Sequence, residues 1–124
     1  VVVDTTIVLA VLFAEEHGEW AADQLALHAS ELRMSTVNLA EALIRTRDRQ
    51  PQLADELEQR LLASGIVFVA PDVEQARCAA AARLRYPLNL GDCFAYALAV
   101  AEDCPILTLD RDFRVVDRWV VLPP

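Results

Sequence analysis

Val1-Val2-Val3-Asp4-Thr5-Thr6 opens the chain and decides how the rest of it is read. Three consecutive β-branched apolar residues make a short strand buried on both faces, the kind found at the centre of a parallel sheet. An aspartate and two hydroxyl residues end the run. In open α/β sheets ligands bind outside the carboxyl ends of the strands, which puts Asp4 at the edge where chemistry gathers. Taken alone, Asp4 has a plainer use as a helix cap. The deciding question is whether other carboxylates arrive at the same edge.

Working outward, Ile7 to Ala14 is apolar nearly all round and reads as a buried helix with Thr6 as its cap. A polar break at Glu15 to Glu19 precedes a second helix from Trp20 to Ser30. Leu32 to Ser35 is a short strand, and Ser35 or Thr36 caps a helix from Val37 to about Arg49. Pro51 to Ser64 carries leucines at helical spacing, and Gly65 terminates it. Ile66 to Val69 is a third strand, and Pro71-Asp72 begins a helix running to about Arg85. Tyr86 to Leu90 is a loop, because Pro87 forces its predecessor out of helix. Gly91-Asp92 opens an alanine-rich helix over Cys93 to Glu102, and Ile106 to Leu109 and Trp119 to Leu122 are the last two strands. Strands alternating with helices predict a three-layer α/β/α sandwich around a mainly parallel sheet of about five strands, with residues 1–124 as one domain.

Composition narrows the function classes. Over 124 residues the apolar fraction is 55%, yet no run approaches a membrane span and no signal peptide is visible. The apolar surplus predicts burial in a homodimer or against a partner. Three cysteines without C-x-x-C spacing, Cys78, Cys93 and Cys104, read as reduced thiols of a cytoplasmic protein. His17 and His28 make a poor metal pair. A net charge of −8 argues against nucleic-acid binding through the overall field, but not against a local groove beside a metal-loaded acidic site. All 11 basic residues are arginine, which removes every mechanism that needs a lysine.

Five acids fall just after a strand or at a helix start: Asp4, Glu41, Asp92, and the pair Asp110 and Asp112 around Arg111. Each has a structural use on its own. Glu41 can pair with Arg45 one turn on, Asp92 can serve the helix dipole, and Asp110 and Asp112 can sit in a solvated turn. Together they are harder to dismiss, since caps and turns are equally well made by serine, threonine or asparagine. Carboxylates crowded at one edge repel unless a hard cation lies between them, and Mg²⁺ or Mn²⁺ takes oxygen ligands. Such a site suits phosphodiester cleavage, in which the metal activates a water and offsets charge on the phosphate. Arg45, Arg47 and Arg49 trail Glu41 as candidate phosphate contacts. Tyr96 is a candidate for stacking on a base, and Phe113 reads as core.

With these residues assembled, the chain resembles the PIN-domain ribonucleases, most closely the VapC-type toxins of prokaryotic toxin–antitoxin pairs. The resemblance rests on Val1 to Thr6, on Ser35-Thr36-Val37-Asn38-Leu39-Ala40-Glu41, on Leu88-Asn89-Leu90-Gly91-Asp92-Cys93-Phe94-Ala95-Tyr96-Ala97-Leu98-Ala99, and on Ile106-Leu107-Thr108-Leu109-Asp110-Arg111-Asp112-Phe113. It implies a metal-dependent endoribonuclease with Mg²⁺ or Mn²⁺ on Asp4 and Asp92. Glu41 is then a third acid, acting directly or through water. The position of Asp110 serves as the fourth acid in some members and that of Asp112 in others, so both stay open. Thr6 and Thr108 become supporting hydroxyls. The resemblance further implies an RNA substrate, a homodimer, and a small antitoxin that wraps a C-terminal segment into the groove.

Other carboxylate-bearing α/β folds fit less well. A receiver domain and a haloacid-dehalogenase-type phosphatase both need a lysine, and the latter needs an aspartate where Thr6 stands. A Toprim-like nuclease wants a glutamate after its first strand, and a dinucleotide-binding fold wants a glycine-rich first turn. The remaining rival is a PIN-like module that binds RNA or a partner without cutting.

Overall fold

The computed structural model describes residues 1–124. Five strands alternate with helices: β1 (Val2–Val3), α1 (Thr5–Leu12), α2 (Gly18–Leu27), β2 (Arg33–Ser35), α3 (Thr36–Arg49), α4 (Ala54–Leu62), β3 (Val67–Val69), α5 (Val73–Arg85), α6 (Leu90–Glu102), β4 (Ile106–Leu107), a 3-10 turn (Arg111–Val115) and β5 (Val120–Val121). The sheet runs β3-β2-β1-β4-β5, and every neighbouring pair is parallel. Val2 stands opposite both Arg33 of β2 and Ile106 of β4, so the valine run does occupy the middle of the sheet.

Alternation across the pleat sends successive residues to opposite faces. Val3 and Leu107 join one core, with Ile7 and Val8 of α1, Ala21 of α2, Ala42 of α3 and Leu61 of α4. Val2 and Ile106 join the other, with Ala79 and Ala82 of α5, Cys93 to Ala99 of α6, and Phe113. Each face is thus covered by helices, which explains why β1 and β4 read as unbroken apolar runs. Small residues on α5 and α6 let the two helices lie close against each other and the sheet.

Element boundaries depart from expectation where polar groups intervene. α1 begins at Thr5, and Asp4 occupies its cap position without a side-chain capping bond. Thr6 is therefore inside the helix and is not its cap. Pro51 to Leu53 form a turn, so α4 starts only at Ala54. Gly65 follows with φ +87, a left-handed value that suits glycine. Ser35 caps α3 by accepting from the Val37 N–H, and Asp72 caps α5 by accepting from the Gln75 N–H. Tyr86 is extended before Pro87, as the proline requires. The next helix then starts at Leu90, earlier than the Gly91-Asp92 start expected, because Asn89 supplies the cap.

The strand order reverses its direction of growth at β1: β2 and β3 lie on one side, β4 and β5 on the other. The carboxyl ends of β1 and β4 therefore flank a topological switch point, the crevice where ligands bind in open α/β sheets. Asp4 and Thr108 are the residues that leave those two ends.

Candidate active site

Asp4 lies at this crevice and is almost sealed, 2% exposed. Its Oδ2 accepts the Thr6 hydroxyl at 2.8 Å and the Thr108 hydroxyl at 2.7 Å. Those hydroxyls in turn accept backbone N–H groups, Leu109 on Thr6 and Asp110 on Thr108, each at 3.0 Å. A hydroxyl has one proton, so with both directed at Asp4 the 3.3 Å approach of Thr6 to Thr108 is a contact between two acceptors' oxygens. The result is a relay, backbone N–H to hydroxyl to carboxylate, that fastens the end of β4 to the end of β1.

Asp92 stands in the first turn of α6, and its capping use is real. Asn89 Oδ1 accepts the Asp92 N–H at 2.8 Å, and Asp92 Oδ2 accepts the Asn89 N–H at 3.2 Å. This reciprocal box ties down one carboxylate oxygen and leaves Oδ1 without a hydrogen bond. Glu41 does not pair with Arg45. Its Oε1 accepts the Asn38 amide and the Thr5 hydroxyl, both at 2.9 Å, and its carboxylate lies against Gly91, where any Cβ would collide with it. Glu41 and Asp92 are thereby brought next to each other by adjoining turns of α3 and α6.

Asp110 is half-buried and Asp112 exposed. Asp110 Oδ1 accepts the Asp112 N–H at 2.8 Å, capping the 3-10 turn in place of a solvated turn. The two acids therefore differ in position: Asp110 belongs to the crevice, and Asp112 is carried onto the surface.

The electrostatics follow from crowding. Burial pushes the Asp4 carboxyl up from its ordinary value; hydrogen bonds from Thr108, Thr6 and the Thr5 backbone oppose this, and Glu41 adds to it. Asp92 is pushed up to about 7, first by burial, then by the charge of Asp4, with Asp110 and Glu41 adding further and the Asn89 backbone opposing. No ion pair in the molecule involves any of these acids. The cluster is thus negative and uncompensated. No three His, Cys, Asp or Glu side chains stand close enough to enclose an ion as they lie. The donor chemistry nonetheless fits a hard divalent cation: all the donors are oxygens, and Asp4, Glu41 and Asp92 each keep one oxygen to which no side chain donates.

Beside the acids runs an open groove of about 490 Å³, lined by Thr6, Asp110, Arg45, Arg49 and the two acids Glu15 and Glu16 among others. Arg45 is exposed there and makes no ion pair, whereas Arg49 pairs with Glu15 at 3.2 Å and Arg47 turns away to Glu58 at 3.0 Å. Tyr96 is not a stacking platform. Its ring is buried, edge-on to Tyr86, and its hydroxyl donates to Asp117 at 2.6 Å. Phe113 is fully buried, as expected of core. The three cysteines are free thiols.

Thr5, Asn38 and Gly91 escaped the sequence reading as site components. Thr5 is one of two hydroxyl residues that end the opening run, and Asn38 one residue of the stretch leading to Glu41. The one available signal was spacing: Asn38 and Glu41 are three apart on a helix and share a face.

A parallel sheet with carboxylates at its switch point defines a class, and comparison with known proteins identifies it. Residues 1–118 match the model of the PIN domain. A VapC ribonuclease of Mycobacterium bovis is 33% identical over 126 residues, spanning 94% of this chain and 95% of that protein. A ribonuclease VapC of Mycolicibacterium smegmatis is 34% identical over 125 residues, with the same coverage of 94% and 95%. Among solved structures, VapC20 of Mycobacterium tuberculosis, described as a sarcin-ricin loop cleaving toxin, superposes with a TM-score of 0.84 at 16% identity over 98% of both chains. VapBC2 of Rickettsia felis, bound to a DNA fragment from its promoter, gives 0.79 at 14% identity over 99% of this chain and 98% of that one. At those identities the structural likeness speaks for the fold. The chain belongs to the PIN-domain family, among its VapC ribonucleases.

Proposed function

We propose that this chain is an endoribonuclease toxin of a toxin–antitoxin pair, one nuclease domain over residues 1–124 that works in the cytoplasm with Mg²⁺ or Mn²⁺. The observation that carries the reading is the uncompensated acid cluster: Asp92 raised to about 7 by burial, Asp4, Asp110 and Glu41, in a chain of this family. Asp4 and Asp92 would hold the cation through their free oxygens, with Glu41 and Asp110 reached directly or through water. A divalent ion bound there supplies an activated water and offsets charge on the scissile phosphate. The chain's own groups do the rest. Thr6 and Thr108 donate to Asp4 and fix its orientation, the box with Asn89 fixes the rotamer of Asp92, and Arg45 in the groove beside Asp110 meets the RNA backbone. The groove's exposed, unpaired Arg45 is the contact best placed for a phosphate.

Two partnerships belong to the proposal. The apolar fraction of 55% and several exposed large apolar side chains support a homodimer. A cognate antitoxin is supported by the neighbours solved as toxin–antitoxin complexes, such as one from Klebsiella pneumoniae with a TM-score of 0.78 at 21% identity.

The purified protein is expected to cleave RNA with Mg²⁺ or Mn²⁺ and to stop in excess EDTA. Asp4→Asn and Asp92→Asn should each lower cleavage by more than about 100-fold, since ligand loss exceeds the ~10–100-fold cost of losing an outer partner. Cleavage that survives EDTA or both substitutions would overturn the proposal. RNA binding without turnover, indifferent to both, would favour a non-catalytic binding module instead.

A further inference from the structure

Asn38 is the one fully buried polar side chain that joins two acid-bearing helices, and nothing in the proposed chemistry employs it. Its Nδ2 donates to Glu41 Oε1 at 2.9 Å and to the Gly91 carbonyl at 3.0 Å. Both amide protons are thereby spent, one on α3 and one on the first turn of α6. Its backbone carbonyl at 3.1 Å competes for the single Thr5 hydroxyl proton with Glu41 Oε1, the nearer acceptor at 2.9 Å. The amide's orientation is forced, because a flip would point Oδ1 at two acceptors. The consequence is that Oδ1 is sealed with no partner. Sealed polar atoms without partners are rare and costly in native proteins. Gln75, Tyr86 and Arg118 also keep an unpartnered buried atom, but only this amide has one donor on an acid of the cluster and the other on the helix turn beside it.

We infer that Asn38 is a positioning residue for the metal-dependent cleavage proposed above, on which the inference rests. It pins Glu41 Oε1 beside the first turn of α6, and its second amide proton, on the Gly91 carbonyl, fixes its own orientation there. Thr5 is its helper, the second donor on the same glutamate oxygen. Asn38 touches neither RNA nor cation. It acts through Glu41, so its contribution exists only while Glu41 is present.

That dependence supplies the test. Mn²⁺ binding is measured by calorimetry without RNA, and steady-state RNA cleavage is measured separately, for Asn38→Ala, Thr5→Val and Glu41→Gln and for each of the first two combined with Glu41→Gln. Melting curves accompany every variant. Asn38→Ala is expected to weaken Mn²⁺ binding about 10–100-fold and to lower kcat with little change in KM. The near-isosteric Thr5→Val is expected to do the same to a smaller degree, and it serves where Asn38→Ala folds poorly. Neither should lower Mn²⁺ affinity further in the Glu41→Gln background, because residues that act as a unit are not additive. Wild-type Mn²⁺ affinity and kcat in the single variants would overturn the inference. So would a loss of equal size with and without Glu41, which marks a purely structural role, or an absence of Mn²⁺ binding by the parent protein. A protein that binds Mn²⁺ with the expected coupling but cuts no RNA would instead overturn the ribonuclease reading and leave the positioning intact.

Discussion

At Asp92 two uses of one side chain coexist, and the pH dependence of stability exposes both. Its carboxyl closes a capping box with Asn89 and is also pushed up to about 7 by burial and by three neighbouring acids. For an acid raised on folding, the native state binds more protons than the unfolded state between the unfolded value of 3.8 and about 7. Stability without a divalent cation therefore falls as pH rises through that window. Asp92→Asn keeps an oxygen for the Asn89 N–H and removes the charge. In EDTA at pH 7.5 it should raise Tm by about 4 °C or more, since ~1 kcal/mol moves Tm about 4 °C for a chain of this size. At pH 4, where the wild-type acid already carries its proton, the difference should close. A calorimetric scan at the two pH values checks both limbs.

Asp110 and Asp112 separate at the same scale. Both follow β4, and their spacing leaves them equivalent in sequence. Asp110 contributes to the raised Asp92 and lines the groove, whereas Asp112 is exposed. Asp110→Asn should lower cleavage at least about tenfold and Asp112→Asn less than about threefold, taking the cost of an outer partner as the yardstick. Initial rates at saturating Mn²⁺ decide it, and the reverse order would move the fourth acid to Asp112.

Among the elements, α3 and α6 meet at a place where the packing leaves no room for a methyl group. Gly91→Ala would normally favour a helix by up to about 1 kcal/mol. Here the new Cβ meets the Glu41 carboxylate, which can make room only by leaving its bonds to Asn38 and Thr5, at about 0.5–1.5 kcal/mol each or more, so the net change should be destabilising. Melting should drop for Gly91→Ala and recover when Glu41→Ala is added. A rise in Tm for the single variant would show that the two helices separate freely. This contact also marks where sequence reading ran out. Hydrophobic periodicity, the proline and glycine signals and the strand ends all lie within one element, and they made the five strands, six helices and their order legible. Glu41 against Gly91, Asn38 between them, and Tyr96 turned onto Asp117 depend on how helices from distant parts of the chain face each other. Thr6 is legible only in part: its bond to Asp4, two residues back, is local, whereas the Leu109 N–H reaches it only when β4 lies alongside.

For the whole molecule, apolar surface remains after both cores are filled. Leu84 is 92% exposed, Trp119 79%, Val73 74% and Leu27 73%. Leaving such side chains in water forgoes about 1.5–3 kcal/mol each, which a second copy of the chain could recover in part. Sedimentation at micromolar concentration is expected to give the mass of two chains. A single-chain mass with no partner present would end the homodimer reading.

The bond from Thr108 to Asp4 spans 104 positions, and the sheet's centre is closed by the first strand and the fourth. Contacts so distant are made late, because the intervening chain must be ordered before they repay its entropy. On the ribosome, where synthesis runs from the N-terminus, Asp4, Glu41 and Asp92 are all translated before the threonine that anchors the first of them. Until Thr108 is made, Asp4 has only the hydroxyl of Thr6, two positions on, to hold it. The crevice between β1 and β4 is therefore a product of the whole stretch between them, and no shorter nascent chain contains it.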